Sequence, residues 1–504
     1  METVKIPIID IFAGPGGLGE GFSSFEMNGE RYFKIGLSIE KEQSAHKTLE
    51  LRSFYRQFPD GTPEEYYKYL RGEITRDKLF EAFPVQAAAS RTEAWNATLG
   101  SPDFPPELID ERIKAALRGA SNWVLIGGPP CQAYSLAGRS RMAHDQEKHQ
   151  KDEKHFLYRE YLRIIQQHKP AVFVMENVKG LLSASIPGTT DHIFESIKRD
   201  LSEPGYKIYS LKVAPSGYNN EMPEYKSSSD YILKAEDYGV PQARHRVILL
   251  GLRTSIFKCA IPQVLQHTGT VSIENVIGDM PKLRSQLSSD DSFKKWEEAV
   301  RDIPKDIPDS DFAQYLKKMS GWKKPKNSGK LYYPTVRYGS NKDMLLYDWY
   351  HDERLGGYLN HAARSHMRED IRRYFWASCY ARYYKMSPRI KDFPRELLPA
   401  HKNVKKTNAT IAFADRFKVQ LKGYPSSTVV SHISKDGHYY IHYGPAQCRS
   451  LSVREAARLQ TFPDNYFFEG NKTSQYQQVG NAVPPYLARQ IAAVVHELME
   501  RPVK

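Results

Sequence analysis

Five short apolar runs punctuate the first 250 residues, at 8–12, 36–40, 123–127, 171–176 and 247–252, each closed by glycine, proline or a polar residue. Between them lie stretches with helical spacing. Tyr161, Ile164 and Ile165 share a face of 158–166, and Ile193, Ile197 and Leu201 share a face of 192–201. Strands that alternate with helices are joined by crossovers, which places successive strands parallel in one sheet. The fold class expected is α/β with a mainly parallel sheet. The chain has 504 residues, enough for two to four domains, and the alternation stops near residue 255. Residues 52–105 break the rhythm with aromatics and charges and read as an insertion.

The first run ends in a glycine-rich turn. Gly14, Gly16 and Gly19 satisfy GxGxxG, and Glu40 closes the next run. Such a turn lets the backbone approach a ligand, and an acid at the neighbouring strand end can hold ribose hydroxyls, which suits a dinucleotide or another adenosine-containing cofactor. A tight structural turn is the alternative. There is no GK[ST] to grip phosphates.

The third run leads into Gly127-Gly128-Pro129-Pro130-Cys131-Gln132. A cysteine is usually a small buried hydrophobe. This one follows two prolines at the carboxyl edge of the sheet and precedes a charged, apolar-poor loop at 133–154. A fixed thiolate fits that setting. Glu176 ends the fourth run, where a carboxyl can hydrogen-bond a heterocycle. Its bland reading is a strand-end cap. Arg244 and Arg246 precede the fifth run with strand spacing, a pair suited to phosphate or carbonyl recognition or to a solvated edge.

Charge narrows the partner. Lys plus Arg number 72 against 59 Asp plus Glu, a net +13 that suits a polyanion. From 323 to 406 there are 19 Lys/Arg and 8 Asp/Glu, interleaved with Trp349, Tyr350, Tyr374, Trp376, Tyr380, Tyr383 and Tyr384. A DNA-binding face and a basic surface over an aromatic core are equally good readings. Four cysteines (Cys131, Cys259, Cys379, Cys448) lie far apart, which argues for a reducing compartment and against a zinc site or disulfide scaffold. No run approaches the ~20 apolar residues of a membrane span. Residues 424–443 alternate like a hairpin; His438 and His442 there lack a third ligand and read as structural. Ser452 and Glu455 form a capping box, and Pro484-Pro485 opens a last helix whose buried stripe is Leu487, Ile491, Val494, Val495 and Leu498.

Taken together and in order, 10–19, 128–132 (GPPCQ), 176–178 (ENV), 242–246 (QARHR), 449–464 (RSLSVREAARLQTFPD) and 478–484 (QVGNAVP) closely resemble the DNA (cytosine-5) methyltransferase family. The resemblance displaces the dehydrogenase reading of the glycine turn. It implies a Rossmann-like S-adenosylmethionine-dependent methyltransferase fold at 1–255, a second, irregular target-recognition domain at 256–449, and a segment at 450–504 that returns to the catalytic domain. The cofactor implied is S-adenosyl-L-methionine, held by Asp10, Phe12, Ala13, Gly14, Gly16, Gly17, Leu18, Gly19, Glu40, Asp103, Pro129, Asn481 and Ala482. The catalytic set implied is Cys131, Glu176, Arg244 and Arg246. Gln132, Ser135, Arg139, Arg141 and Gln242 are the expected DNA contacts, and no metal is expected. The implied reaction is sequence-specific methylation of C5 of a flipped-out cytosine in double-stranded DNA through a covalent Cys131–C6 adduct. The setting implied is a monomeric bacterial enzyme of the cytoplasm, at the nucleoid through its DNA, paired in a restriction-modification system with a cognate restriction endonuclease it need not touch. A tRNA-modifying branch shares the catalytic set but has a shorter recognition region, and a DNA-binding protein without catalysis would not need the intact set.

Overall fold

The computed structural model describes residues 5–59, 61–130, 154–184, 192–305, 307–399 and 415–500. Contacts divide the chain into two units. Met1–Pro63, Arg76–Gly269 and Ala482–Lys504 make the first; Glu64–Thr75 and Thr270–Asn481 make the second.

The first unit is built on an eight-stranded sheet. Its strands are β1 (Ile6–Ile11), β2 (Phe33–Glu40), β3 (Ala94–Asn96), β4 (Val124–Gly127), β5 (Val172–Val178), β6 (Tyr206–Tyr209), β7 (Ile232–Lys234) and β8 (His245–Arg253). They lie in the order β3-β2-β1-β4-β5-β8-β7, with β6 also paired to β8. The strands from β3 to β5 are parallel, whereas β8 runs antiparallel to β5, β6 and β7. The expected mainly parallel sheet is present.

Alternation along each strand sorts side chains into two cores. Ile8, Val124, Ile126, Val172, Val174, Ile248 and Leu250 pack with Leu487, Ile491 and Val495 of helix Pro485–Glu500. Ile9, Ile11, Leu125, Phe173, Met175 and Leu249 pack with Ile109 and Ile113 of helix Pro106–Leu117 and with Ile164 and Ile197. A strand covered on both faces has no polar side to show, and this is why the runs read as continuously apolar. The C-terminal helix starts at Pro485 with its predicted stripe buried. Glycines in helix Gly17–Ser23 admit it. A Cβ on Gly21 would lie 2.4 Å from the Ala488 Cβ, and one on Gly17 would lie 2.1 Å from the Val483 carbonyl oxygen.

In the second unit, helices Phe293–Arg301, Ser310–Ser320 and Arg368–Tyr384 converge on a core that includes Trp296, Phe312, Leu316, Tyr374 and Trp376. Its main ribbon pairs Gly329–Pro334 with Gly357–Ala362. Tyr350, Tyr374 and Trp376 are therefore core residues, while Tyr383 and Tyr384 remain exposed. The hairpin expected at 424–443 is absent. Ser431–Ser434 and His438–Tyr440 are 3-10 turns, because the rings are used locally: the Tyr440 hydroxyl donates to the Thr428 carbonyl (2.9 Å) and the Tyr374 hydroxyl meets His438 Nδ1 (2.6 Å).

The motif segment 449–464 braces the second unit. Ser452 caps helix Val453–Leu459 in the expected box with Glu455. Arg449 grips Glu455 with two bonds of 2.6 Å and donates to the Leu283 carbonyl (3.2 Å). Arg454 reaches the Leu359 carbonyl (2.9 Å), and Arg458 reaches Asp464 (2.6 Å) and Asp279 (2.9 Å). The structure thus divides the chain at 481/482, whereas the sequence expectation began the returning segment at 450. Part of the 52–105 insertion also belongs to this unit. Helix Glu64–Leu70 is tied in through Tyr67 to Asp352 (2.7 Å) and Tyr69 to Glu469 (2.5 Å).

Candidate active site

Parallel strands deliver their carboxyl ends to one edge. β1 pairs Asp10 with Ile126 and Ile11 with Gly127, and β4 pairs Gly127 with Met175. The glycine turn, the Gly-Gly-Pro-Pro loop and Glu176 therefore emerge side by side.

The turn has an accessible and a hidden part. Phe12, Ala13 and Gly14 are half-buried, whereas Pro15 to Gly19 are buried. Phe12 (φ 55°) and Gly14 (φ 57°) both adopt the left-handed conformation, and a Cβ on Gly14 would meet nothing within 4 Å. Gly14 thus borders open space, while Gly17 is required for chain packing. Leu18 belongs to the core, so only its backbone is available to a ligand. Glu40 Oε2 accepts from the Gly14 N–H (2.8 Å) and Oε1 from the Glu42 N–H (2.8 Å). Burial raises its pKa against the pull of those two donors. Asn96 Nδ2 ties down the Glu40 and Lys41 carbonyls (2.9 and 3.1 Å). Asp10 is fully buried beneath the turn, where a Cβ on Gly19 would come within 2.9 Å of Oδ2. Burial pushes its carboxyl up to about 8 despite Arg56 nearby.

The neighbouring corner is tighter. A Cβ on Gly127 would lie 2.5 Å from the Ile11 carbonyl oxygen, and one on Gly128 would lie 2.9 Å from Glu176 Oε2. Only glycines allow the loop to pass against both groups. Asn177 Nδ2 donates to the Pro129 carbonyl (3.2 Å) and fixes the start of the proline pair. Register opposes Ile248 to Glu176 and Arg246 to Val178, so Glu176 and Arg246 share a face of the sheet. Their side chains meet, Nε to Oε1 at 2.7 Å, each 14% exposed. Arg246 also donates to the His245 carbonyl (2.9 Å), and His245 meets Glu236 (2.7 Å).

The other predicted residues fall elsewhere. Cys131, Gln132, Ser135, Arg139 and Arg141 lie outside the described residues. Arg244 is 2% exposed, in the break between strand Gln242–Ala243 and β8, so it does not share the exposure of Arg246. Gln242 is fully buried and presents no surface to DNA in this structure. Asp103 is exposed in the turn before helix Pro106–Leu117, bonded to Ser101. Pro129 is buried. Asn481 ends helix Lys472–Asn481 of the second unit, and buried Ala482 begins the last segment of the first. Asn177 and Asn96 received no role from sequence. The signal for Asn177 was present, an amide directly after a strand-end acid.

Comparison with known proteins settles the family. The profile of the C-5 cytosine-specific DNA methylase domain matches residues 109–497. The type II methyltransferase M.Bpa9945I of Bacillus paralicheniformis is 33% identical over 513 residues, covering 98% of this chain and 99% of its own. This chain belongs to the C-5 cytosine-specific DNA methylase family. Further methylases are similar over less of it. M.DdeI of Desulfomicrobium norvegicum is 28% identical over 73% of this chain and 71% of its own. The DNA (cytosine-5-)-methyltransferase M.ApeKI of Aeropyrum pernix is 26% identical over 76% of this chain and 83% of its own. The protein is thus a DNA cytosine-5 methyltransferase, and its sheet edge is where that chemistry must be sought.

Proposed function

We propose that the methylase transfers a methyl group from S-adenosyl-L-methionine to C5 of a cytosine turned out of double-stranded DNA, at a defined sequence, with Cys131 as nucleophile. The observation that carries this reading is the Glu176–Arg246 pair beside Gly128, one strand from the Glu40–Gly14 contact.

The turn fits the cofactor. Gly14 borders open space, and each Glu40 oxygen holds one backbone N–H and retains a lone pair for a ribose hydroxyl. Phe12 and Gly14 would line the adenosine side and Glu40 would hold the ribose. When bound, the cofactor supplies an electrophilic methyl.

The chain's own groups prepare the base. Cytosine C5 is a poor nucleophile. Addition of the Cys131 thiolate to C6 turns the C5–C6 edge into an enamine. Glu176 enters as the acid, donates its proton to N3 as the thiolate adds, accepts from the amino group and takes the proton back when the thiolate leaves, while Arg246 holds the ring carbonyl. In the described structure these two side chains satisfy each other, so an arriving base replaces an ion pair rather than water. After methylation, loss of the C5 proton expels the thiolate and restores the ring. A free thiol is a few per cent ionised at pH 7, so complete ionisation, a gain of about thirtyfold, is worth only about 2 kcal/mol. Most of the acceleration must come from positioning and from Glu176. C6 is stacked in a duplex, so the base must leave the helix, at a cost of a few kcal/mol. The type II relatives support a role in a restriction-modification system.

A duplex carrying 5-fluorocytosine at the target tests the scheme, because C5 cannot then lose a proton. With cofactor, a denaturation-resistant protein–DNA adduct should accumulate in wild type and not in Cys131→Ala. No adduct from active wild-type protein would refute the covalent step.

A further inference from the structure

The cations of the basic stretch separate when sorted by partner. Lys324 donates to the Ser320 carbonyl, Arg364 to those of Ile433 and Lys435, and Arg373 to that of Leu397. Arg354 pairs with Glu64, and Arg372 with Asp302. These residues hold the second unit together. Arg337 and Lys342 are different: both are exposed, and neither is ion-paired among the described residues.

Both belong to a loop, 335–342, that is tightly built. The Thr335 N–H donates to the Gly356 carbonyl (3.3 Å), the Tyr338 N–H to that of Thr335 (3.1 Å) and the Ser340 N–H to that of Arg337 (3.1 Å). Thr335 Oγ1 accepts from the Arg337 N–H (3.2 Å), and the Tyr347 hydroxyl donates to the Gly339 carbonyl (3.1 Å). Gly339 has φ 70°, and a Cβ there would lie 2.2 Å from the His351 ring. That ring stacks on Tyr347 (4.7 Å) and packs on Tyr338 (4.4 Å). The insertion helix buttresses the base: Tyr67 bonds Asp352 (2.7 Å), and Arg354, paired with Glu64, lies 4.2 Å over the Tyr67 ring. On this scaffold Val336 is 103% exposed, a fully solvated apolar side chain next in the chain to Arg337. Acids follow only after the loop, at Asp343 and Asp348.

A flexible loop could tuck such a valine away. This one is fixed with the valine outward, which forgoes roughly 1.5–3 kcal/mol of burial. We propose that loop 335–342 is a specificity-determining element, in which Val336 meets base-pair edges in a groove of duplex DNA and Arg337 and Lys342 meet the flanking phosphates. Apolar side chains read base methyl groups in this way, and cations beside them fix the register. The inference rests on the reading of the chain as a sequence-specific enzyme of duplex DNA.

The test compares wild type, Val336→Asp, Val336→Ala, the Arg337→Ala/Lys342→Ala double variant and a control, Val85→Asp, at an exposed valine of the first unit. Each is assayed on mixed-sequence duplex DNA, with bisulfite sequencing of the product, salt titration of binding, sedimentation and thermal melting. Val336→Asp should lower kcat/KM at the wild-type sites at least tenfold, and Val336→Ala should change which sites are modified. The double variant should flatten the log–log salt slope by about 0.9 per lost phosphate contact. Melting should stay unchanged, and Val85→Asp should match wild type. The inference is overturned if Val336→Asp matches the control in rate and sites, or if it alters self-association while leaving DNA binding alone. Wild-type protein that methylates duplex DNA without sequence preference would overturn the specificity reading itself.

Discussion

Both units contain arginine–carboxylate contacts, and burial separates their uses. In the second unit, Arg449–Glu455 and Arg458–Asp464 have side chains 0–2% exposed, with their remaining donors on backbone carbonyls and on the side chains of Gln447 and Asp279. In the first, Glu176–Arg246 meets through one contact at an open strand edge, each side chain 14% exposed. A sealed pair whose every donor is used can only support structure. A half-open pair with spare lone pairs can exchange its partner for a substrate. The same two residue types are thus a brace in one place and a site in another.

The comparison can be broken most sharply at the open pair. Glu176→Gln should lower kcat by about 10²–10⁴-fold, the range for removing a group that manages protons or charge in the transition state. Its urea midpoint should stay near wild type, because the site is partly solvated. A large stability loss would show that this pair is also a brace. At the sealed pair the outcome should invert. Glu455→Ala strands Arg449 in the interior and should cost about 3–5 kcal/mol of unfolding free energy. Burial alone would raise the Glu455 pKa, but Arg449 outweighs it and holds that carboxyl far below the usual range.

Acid and alkali should also distinguish the two regions. Burial pushes Asp10 up to about 8, so the fold favours its protonated form. Its contribution is complete below the ordinary carboxylate value and fades as pH rises to about 8. Burial pushes His361 down to about 4 and His442 down to about 3, so the second unit keeps them neutral. Their contribution is present above pH 6.5 and is lost as pH falls toward those values. Asp10→Asn should therefore flatten the stability profile between about pH 4 and 8 and leave the acid limb in place.

Smaller effects sharpen the packing account. Gly21→Val drives a side chain into Ala488 and should cost about 1–3 kcal/mol by chemical denaturation. Ser452→Ala removes a helix cap and should cost about 1 kcal/mol.

Much of this was legible in the residues because local chemistry decided it. Strands buried on both faces show as apolar runs, Ser452 with Glu455 reads as a cap, and Pro485 reads as a helix start. Glu176 was legible as a strand-end acid. Arg246 was named beside it, but the contact between them was not, because the two meet only through the antiparallel register of β5 with β8, which no local pattern encodes. The spacing rule that put Arg244 and Arg246 on one face fails at the strand break, which leaves Arg244 buried. At 424–443 the alternation of aromatic and polar residues imitated a hairpin, but the Tyr440 hydroxyl bonds nearby loop backbone instead, donating to the Thr428 carbonyl and accepting from the Val430 N–H.

The membership of helix Glu64–Leu70 in the second unit has a practical consequence. The polypeptide crosses between units four times, at 63/64, 75/76, 269/270 and 481/482. Anyone transplanting the specificity of this methylase onto a relative by moving one contiguous block would leave behind the strut under Asp352 and Arg354. A working chimera would have to carry two separate cassettes, the short one drawn from a stretch that looks like decoration on the catalytic half.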